Sequence, residues 1–298
     1  LLQMNGVAVK VYERDHNRNV RVQGATLDLH QESGLAALRA AGLMDAFKAN
    51  YRPDAGKLRV MDQAATIYLD EQGDDGSFDF GDEYARPEID RGPLRDILLD
   101  SLRPDTVVWD SHFVTMTQVD EGWQLAFKDG THATADLVIG ADGAHSKIRP
   151  FITPIQPFYT GITALEGAVY NAATTAPQID RLLNGGKIFA LGEHKSLIVG
   201  SKGDGSFAFY TGCYTNERWA NDSGIDFDDR AQVVNWFDEE FAGWDPLWRA
   251  IFEEAEPHFI PRPQYCMPLD QSWAAQPNVT MLGDAAHLMP PYAGEGVN

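Results

Sequence analysis

The segment MLGDAAHLMPPYAGEGVN, residues 281–298, carries the most specific pattern in this chain. Apolar and β-branched residues at 279–282 predict a short buried strand, and Asp284 follows that strand almost at once. A carboxylate in this place can hold a hydroxyl of a ribose or another polyol. A Pro-Pro pair then stiffens the backbone, while Gly294 and Gly296 allow main-chain N–H groups to approach a flat or anionic ligand. The alternative is that Asp284 caps a turn and the glycines only serve a loop.

A second segment of the same kind lies in the middle of the chain. Residues 136–140 predict a buried strand that runs into ADGAHSKIR at residues 141–149. Its small residues let the backbone approach a ligand, and Asp142 and Arg149 supply polar groups there. A coincidental strand, turn and helix is the alternative.

The start of the chain resembles the second strand of a dinucleotide-binding unit. Residues 7–12 alternate as a strand does and end at Glu13, where such units hold a ribose. The glycine-rich turn of this unit would lie before Leu1, so we expect the chain to be an internal segment of a longer protein. Arg14, Arg18 and Arg21 follow; they indicate either an approach for an anionic ligand or a solvated loop.

Two further segments offer ligand contacts beside helices. GATLDLH at residues 24–30 is a small-residue turn before a predicted helix, and Asp28 is either a ligand contact or the helix N-cap. Arg95 lies on a helix whose leucines face the core, which predicts a phosphate or adenine contact. The alternative for Arg95 is a surface ion pair with Asp96 or Asp100.

Residues 151–256 have a different texture, with strand candidates followed by the helix candidates 230–241 and 247–254. Aromatic side chains on these strands either line an apolar pocket or belong to the core; they are Phe189, Phe207, Phe209, Tyr210 and Tyr214. We therefore predict an α/β protein with a Rossmann-like cofactor domain and an inserted domain of antiparallel sheet and helices. The predicted cofactor domain comprises residues 1–50, 84–153 and 257–298, and the substrate domain comprises 51–83 and 154–256.

Charge and composition exclude several classes of partner. The chain has 298 residues with 24 Lys+Arg and 44 Asp+Glu, a formal net charge of -20. Binding to nucleic acid or to an anionic membrane needs clustered cations, so neither is expected. The two cysteines, Cys213 and Cys266, show no metal-ligand spacing, and no apolar run approaches the length of a membrane span. We predict a cytoplasmic, monomeric protein with no metal site and no disulfide.

The two strand-ending segments resemble the fingerprints of a known enzyme family. Gly-Asp-Ala-Ala-His with Pro-Pro and Gly-x-Gly-x-Asn, and Gly-Ala-Asp-Gly-x-x-Ser-x-x-Arg, are similar to those of the FAD-dependent aromatic hydroxylases of the p-hydroxybenzoate hydroxylase type. Residues 11–15, 24–30, 87–102 and 283–298 look like the tetracycline-inactivating branch of that family, whose members confer antibiotic resistance. The resemblance implies FAD as cofactor, NADPH or NADH as reductant, O2 as co-substrate, and an oxygen atom delivered through a C4a-hydroperoxyflavin.

The residue patterns and the resemblance together predict the contacts to each ligand. The predicted cofactor contacts are Glu13, Arg14, Arg21 (to NADPH), Asp28, Leu29, Arg95, Asp142, Asp284, Pro291, Gly294, Gly296 and Asn298. The predicted substrate contacts are Glu166, Lys187, Phe209 and Tyr210. No side chain is predicted to act as an obligatory acid or base, because the cofactor carries the chemistry.

The sequence departs from the tetracycline-inactivating branch at the substrate side. Residues 207–210 hold no imidazole where that branch has one, and Glu166 stands in place of an amide. We therefore expect a hydroxylase of a tetracycline-like polyketide or of another phenolic compound. Two alternatives stay open at this point: an FAD-dependent reductase or epoxidase of an alkene, and a truncated relative that only binds a ligand.

Overall fold

The computed structural model of the protein describes residues 1–20, 26–71, 73, 79–82 and 84–298. Arg21, the predicted NADPH contact, lies outside these residues. Most of the described strands are short, and the longer ones build a seven-stranded sheet. In chain order the strands are β1 (Val11–Tyr12), β2 (Leu27–Asp28), β3 (Leu58–Asp62), β4 (Ile67–Asp70), β5 (Glu88–Ile89), β6 (Val107–Val108), β7 (Phe113–Val119), β8 (Gly122–Phe127), β9 (His132–Ala135), β10 (Val138–Gly140), β11 (Phe158–Val169), β12 (Lys187–Gly192), β13 (Lys195–Ser201), β14 (Phe207–Tyr214), β15 (Ile260–Cys266) and β16 (Val279–Met281).

The helices flank these strands. In chain order the α-helices are α1 (Gly34–Ala40), α2 (Met44–Lys48), α3 (Arg91–Asp100), α4 (Ala172–Thr175), α5 (Pro177–Leu183), α6 (Trp219–Asp222), α7 (Arg230–Glu240), α8 (Pro246–Glu254) and α9 (Asp284–His287), and short 3₁₀ helices span Gln3–Asn5, Arg149–Phe151 and Pro291–Ala293. The predicted helices at 230–241 and 247–254 are confirmed as α7 and α8. Each begins after an aspartate, Asp229 or Asp245, whose carboxylate accepts a backbone N–H of the first turn. No helix in the described parts of the chain combines the length and the apolar character that crossing a membrane requires.

The large sheet has the strand order β15-β11-β14-β13-β12-β3-β4. Its neighbouring strands are antiparallel except for β12 and β3, which run parallel. The predicted antiparallel arrangement is confirmed for the neighbouring pairs among β11, β12, β13 and β14. The whole sheet is mixed because β3, from a much earlier part of the chain, lies parallel to β12. Strand β15 also hydrogen-bonds to β11, although it follows residue 256, the predicted end of the substrate domain.

One face of this sheet is covered by α4, α5, α7 and α8 and holds the main core. Phe207 and Phe209 of β14 are fully buried there, and Phe237 and Phe252 of the helices belong to the same apolar cluster. Because side chains alternate along a strand, the residues between them point to the other side. That other side, which we call the open face, carries Ile162, Ala164 and Glu166 of β11, Lys187, Phe189 and Leu191 of β12, Ser196 and Ile198 of β13, and Tyr210 and Gly212 of β14.

The remaining strands form small pairs around the predicted cofactor segments. Strands β1 and β6 are parallel, β10 and β16 are parallel, and β2 and β5 are antiparallel. Leucines of α1 and α3 pack with Phe47 and Ile89 in a second core cluster. A third cluster joins the β7-β8-β9 meander to β10 and β16.

A polar contact ties the start of α3 to the large sheet. The guanidinium of Arg52 donates to the carbonyl oxygen of Ser201 at 2.6 Å and to that of Gly185 at 3.1 Å. Asp90, the residue before α3, accepts the backbone N–H of Gly203 at 2.8 Å. These bonds fix the small strand pair β2-β5 relative to the open face.

Candidate cofactor site

The two fingerprint segments lie side by side at the same sheet edge. Strands β10 and β16 pair in parallel, with Gly140 opposite Met281. The backbone N–H of Leu282 donates to the carbonyl oxygen of Gly140 at 3.0 Å. Since both strands point the same way, the loops 141–149 and 282–287 both leave from their carboxyl ends, the place where ligands bind in parallel α/β sheets.

Arg149 joins these two loops. It is 2% exposed, and its Nε donates to the carbonyl oxygen of Ala285 at 2.8 Å. Its Nη2 donates to the carbonyl oxygens of Asp284 at 3.1 Å and Ala144 at 3.0 Å. Burial lowers the pKa of Arg149, while the carboxylates of Asp142 and Asp284 oppose that shift. One buried guanidinium therefore connects the loops of both fingerprint segments. The sequence pattern predicted Arg149 only as a polar group for a ligand and did not indicate this connecting role.

The two predicted aspartates of these loops occupy different environments. Asp142 Oδ2 accepts the backbone N–H of Lys147 at 2.7 Å and that of Ile148 at 3.3 Å, so this carboxylate caps its own turn. Asp284 is exposed at the start of α9. Gly283 before it has a φ of 59°, a left-handed conformation that glycine adopts without strain. Both residues are exposed, but the carboxylate of Asp142 is already engaged in its own turn.

The last residues of the chain fold against the turn at 28–34. Asn298 Nδ2 donates to the carbonyl oxygen of Asp28 at 3.0 Å and to that of Gly294 at 3.3 Å. Its Oδ1 accepts the backbone N–H of His30 at 2.8 Å and the hydroxyl of Ser33 at 3.2 Å. Asn298 is a predicted cofactor contact. In the structure, both polar atoms of its amide form hydrogen bonds that position this junction.

Backbone and side chains approach closely at this junction. A Cβ on Gly294, whose φ is +69°, would lie 3.2 Å from Asp28 Oδ2. A Cβ on Gly34 would lie 2.9 Å from Asn298 Oδ1 and 2.9 Å from Leu29 Cδ2. Leu29 itself is 2% exposed and belongs to the second core cluster, so its side chain faces the core. Pro291 and Gly296, the other predicted contacts of this loop, are exposed.

A clash at this junction predicts a measurable effect on the cofactor. Gly34→Ala is expected to push Asn298 away and weaken FAD binding by about tenfold, because overpacking of this kind typically costs about 1–3 kcal/mol. Gly56→Ala is the matched control, since a Cβ there meets nothing within 4 Å. Equilibrium titration with FAD compares the two variants; equal affinities for both would contradict this account of the junction.

The N-terminal candidates surround the end of β1. Glu13 Oε1 accepts the backbone N–H of Asp15 at 3.0 Å, and Arg14 is exposed. Arg95 on α3 lies 3.8 Å from Asp15 Oδ2 and 5.8 Å from the ring centroid of Trp109. Its Nη1 is buried and makes no hydrogen bond within the described residues.

The surface ion pairs considered for Arg95 belong to another residue. Arg18 donates to Asp96 at 2.7 Å and to Asp100 at 2.8 Å. The buried Nη1 of Arg95, which makes no hydrogen bond among the described residues, fits an anionic or polar part of a dinucleotide. Taken with the close glycine approach and the exposed Asp284, the residues fit an FAD molecule.

The predicted substrate residues divide between the two faces of the large sheet. Glu166, Lys187 and Tyr210 lie on the open face, where Glu166 accepts Arg262 Nε at 2.7 Å and the Tyr210 hydroxyl at 3.4 Å. Phe209 lies on the opposite face, 0% exposed, with its ring centroid 4.9 Å from that of Phe252. Phe209 therefore belongs to the core, as one of the two alternatives for the strand aromatics stated, and presents no surface to a substrate.

Lys187 has a partner that the sequence did not point to. Its ammonium forms an ion pair with Glu88 of β5, a residue that is only 4% exposed. Burial raises the pKa of Glu88, the Lys187 charge lowers it, and Asp28, directly opposite in the strand pair, raises it. Glu88 was missed because a carboxylate between Arg86-Pro87 and Ile89 looks like any exposed loop residue.

A cavity of about 260 Å³ opens on the open face. Its walls include Leu191, Ser196, Tyr214 and Tyr292, the last from the 3₁₀ helix Pro291–Ala293 next to the cofactor loop. Burial raises the pKa of Tyr292, so its hydroxyl keeps its proton at neutral pH and can donate a hydrogen bond. Burial likewise raises the pKa of Cys213 to about 12, which leaves this thiol unreactive.

No group of three or more His, Cys, Asp or Glu side chains that could hold a metal ion occurs in the described ranges. The candidate site is built from carboxylates, amides and glycine backbone. Its fold and loops are those of an α/β protein that can hold a dinucleotide.

Comparison with known proteins identifies the enzyme class. A family described as FAD binding domain matches residues 1–298, that is, the whole chain. The chain is 28% identical over 325 residues to the monooxygenase asqM of Emericella nidulans, covering 94% of this chain and 71% of that protein. It is 25% identical over 342 residues to the monooxygenase penA of Penicillium thymicola, covering 99% of this chain and 76% of that protein.

Solved structures share the fold. Klebsiella pneumoniae HpxO complexed with FAD and uric acid superimposes with a TM-score of 0.74 at 21% identity, over 99% of this chain and 71% of that one. The tetracycline destructase Tet(51) gives a TM-score of 0.68 at 19% identity, over 100% of this chain and 73% of that one. The chain belongs to the FAD binding domain family of FAD-dependent monooxygenases, as the fingerprint resemblance predicted.

Proposed function

We propose that the protein uses NADPH or NADH and O2 to hydroxylate an electron-rich aromatic ring of a small molecule bound on the open face. The observation that carries this proposal is the cavity beside Tyr292, which places a substrate-sized space next to the loop that adjoins Asp28 and Asn298. The chemistry that FAD supplies when bound is hydride acceptance and activation of O2.

The residues of this chain have positioning roles in that reaction. Asp284 and Arg95 hold the dinucleotide, with Glu13, Arg14 and the glycine loop beside them. Arg149 and Asn298 keep the binding segments in place. The Tyr292 hydroxyl orients an oxygen of the substrate, and the apolar cavity wall keeps water from the reacting ring. As a corollary, residues 1–50, 84–153 and 257–298 form the cofactor domain, and 51–83 and 154–256 form the substrate domain, with β15 shared between them. Residues of 154–256 supply most of the cavity wall.

The size of the cavity supports a compact aromatic substrate over a four-ring polyketide. Its volume of about 260 Å³ lies below the roughly 300 Å³ at which pockets for drug-sized ligands begin. Relatives with compact substrates in their names point the same way: a 3-amino-4-hydroxybenzoate 2-monooxygenase of Streptomyces platensis and an FAD-dependent urate hydroxylase of Klebsiella pneumoniae, each 27% identical over 70% of this chain. Lys195 at the cavity forms an ion pair with Glu240 at 3.3 Å. Because this pair balances the Lys195 charge, the cavity favours a substrate with an uncharged ring system.

The test measures oxidation of NADPH and of NADH by the full-length protein loaded with FAD. We expect one- and two-ring phenols to stimulate oxidation, with one atom of ¹⁸O₂ found in the product. Leu191→Trp, which narrows the cavity, should raise KM for the best substrate at least about tenfold. Leu269→Trp is the matched control, because Leu269 is 97% exposed and lies outside the cavity wall.

Two results would contradict this proposal. The first is no stimulation by any compound of a broad phenol panel. The second is stimulation by tetracycline alone with an unchanged KM in Leu191→Trp, which would place the substrate elsewhere.

A second candidate reaction is epoxidation of an alkene. The observation that favours it is 27% identity over 210 residues to a chloroplastic zeaxanthin epoxidase of Solanum lycopersicum, covering 70% of this chain and 29% of that protein. Product analysis separates the two reactions, since in an epoxide the new oxygen bridges the two former alkene carbons, whereas in a hydroxylated phenol it is a hydroxyl on the ring.

A further inference from the structure

His30 is a buried imidazole held between two carboxylates. Its side chain is 5% exposed, its Nε2 lies 3.2 Å from Asp28 Oδ2, and its Nδ1 lies 3.4 Å from Glu295 Oε2. Asp28 belongs to β2, whereas Glu295 belongs to the loop 294–298. The imidazole therefore bridges the two segments whose junction Asn298 also holds.

Charged groups of several elements surround this imidazole. Glu88 stands opposite Asp28 in the strand pair, and Lys187 is paired with Glu88. Three carboxylates thus face one ammonium in this region when His30 is neutral. Adding a proton to His30 reduces that excess of negative charge.

The two protonation states of His30 hold the loop differently. A neutral imidazole has one N–H and can donate to Asp28 or to Glu295, but not to both. The imidazolium has two N–H groups and can donate to both carboxylates at once, and hydrogen bonds between charged groups are the stronger kind. With the neutral ring, one carboxylate faces an unprotonated nitrogen, which repels it.

We propose that His30 is a pH-dependent positioning residue for the cofactor loop. The imidazolium draws Glu295 toward Asp28 and holds residues 294–298 in the position that binds FAD, and loss of that proton releases the loop. This inference rests on the proposed placement of FAD at this loop. Because a histidine changes charge between about pH 5 and 8, FAD affinity should fall as the pH rises through that range.

The test is the dissociation constant for FAD, measured by quenching of flavin fluorescence with the full-length apoprotein at pH values from about 5.5 to 8.5. In the unsubstituted protein we expect the dissociation constant to rise about tenfold across this range. His30→Gln donates from its amide in either condition, so its affinity should equal the high-pH value at every pH. Glu295→Gln should flatten the profile too, since it removes one of the two carboxylates.

A second histidine provides the control. His258 makes the same kind of contact with Asp228, at 2.7 Å, but both side chains are more than two-thirds exposed and neither residue belongs to the segments 28–34 and 294–298. His258→Gln should therefore keep the pH profile of the unsubstituted protein. Because the Glu295 side chain is 46% exposed, Glu295→Gln tests the proposal even where His30→Gln does not fold.

The outcomes separate this inference from the proposed site. A flat profile in the unsubstituted protein, or a profile unchanged in both His30→Gln and Glu295→Gln, overturns the role of His30 while leaving FAD binding intact. Absence of FAD binding at every pH overturns the placement of the cofactor itself.

Discussion

Arg149→Met is expected to lower the free energy of unfolding by about 3–5 kcal/mol and to abolish FAD binding. Arg149 is 2% exposed, and its guanidinium donates to three carbonyl oxygens, those of Ala144, Asp284 and Ala285. Methionine fills similar space and offers no donor, so buried carbonyls lose their partners. The loops after β10 and β16 then separate, and the cofactor loses the surface that they form together.

Urea unfolding followed by circular dichroism measures this loss, and an FAD titration at low urea measures binding. Arg218→Met is the control, because Arg218 pairs with Asp222 at the surface and such pairs contribute about 0–1 kcal/mol. Arg149→Lys should recover only part of the stability, since one ammonium cannot span all three carbonyls. A stability of Arg149→Met within about 0.5 kcal/mol of the unsubstituted protein would refute the bridging role.

Lys187→Met is expected to destabilise the protein by about 3 kcal/mol at neutral pH, the low end for breaking a buried ion pair because Lys187 is partly exposed. The variant leaves Glu88 buried without its counter-charge. Burial already raises the pKa of Glu88, and removal of Lys187 raises it further. When the pKa of a carboxyl is higher in the folded state than in the unfolded state, the carboxyl stabilises the folded state at pH values below its unfolded-state pKa. This stabilisation is lost as the pH rises through the folded-state pKa.

The sign of the pH dependence checks this explanation. The defect of Lys187→Met should be smaller at about pH 5 than at about pH 8, because Glu88 takes up a proton in the folded variant. The double variant Glu88→Met with Lys187→Met should recover most of the stability, since two apolar side chains replace the pair. A defect of equal size at both pH values, or no recovery in the double variant, would show that the charge of Glu88 is not its cause.

Local sequence chemistry predicted the strands of the two fingerprint segments. Apolar β-branched runs that end in Gly-Asp or Ala-Asp are set by residues adjacent in the chain, so β10 and β16 could be recognised, whereas their pairing is seen only in the structure. The family and the enzyme class are confirmed by the comparisons.

The substrate side depends on contacts between distant parts of the chain, and the sequence predicted it less well. Lys187 was assigned to the substrate, yet its ammonium meets Glu88 from a separate strand pair. Phe209 and Tyr210 are neighbours in sequence, but strand alternation sends one to the core and the other to the open face. No local sequence signal predicts the parallel pairing of β3 with β12 either, because this pairing joins segments that lie far apart in the chain.

His30 and Asn298 show a further limit of sequence reading. Both stand in segments that were recognised as cofactor segments, and Asn298 was predicted to contact the ligand. Their polar atoms connect residues 28–34 with residues 294–298, and the ligand contact of Asn298 stays a prediction. Such positioning roles cannot be separated from direct contacts by residue type, because the same amide or imidazole serves either.

The loops after β10 and β16 are proposed to close over one FAD molecule. Equilibrium binding of FAD to the full-length protein and to Asp284→Asn is the decisive measurement, with stoichiometry and affinity read from one fluorescence titration. We expect one FAD per chain and an affinity at least about tenfold lower in Asp284→Asn. A colourless protein that takes up no added FAD, or an Asp284→Asn variant that binds as the unsubstituted protein does, would contradict it.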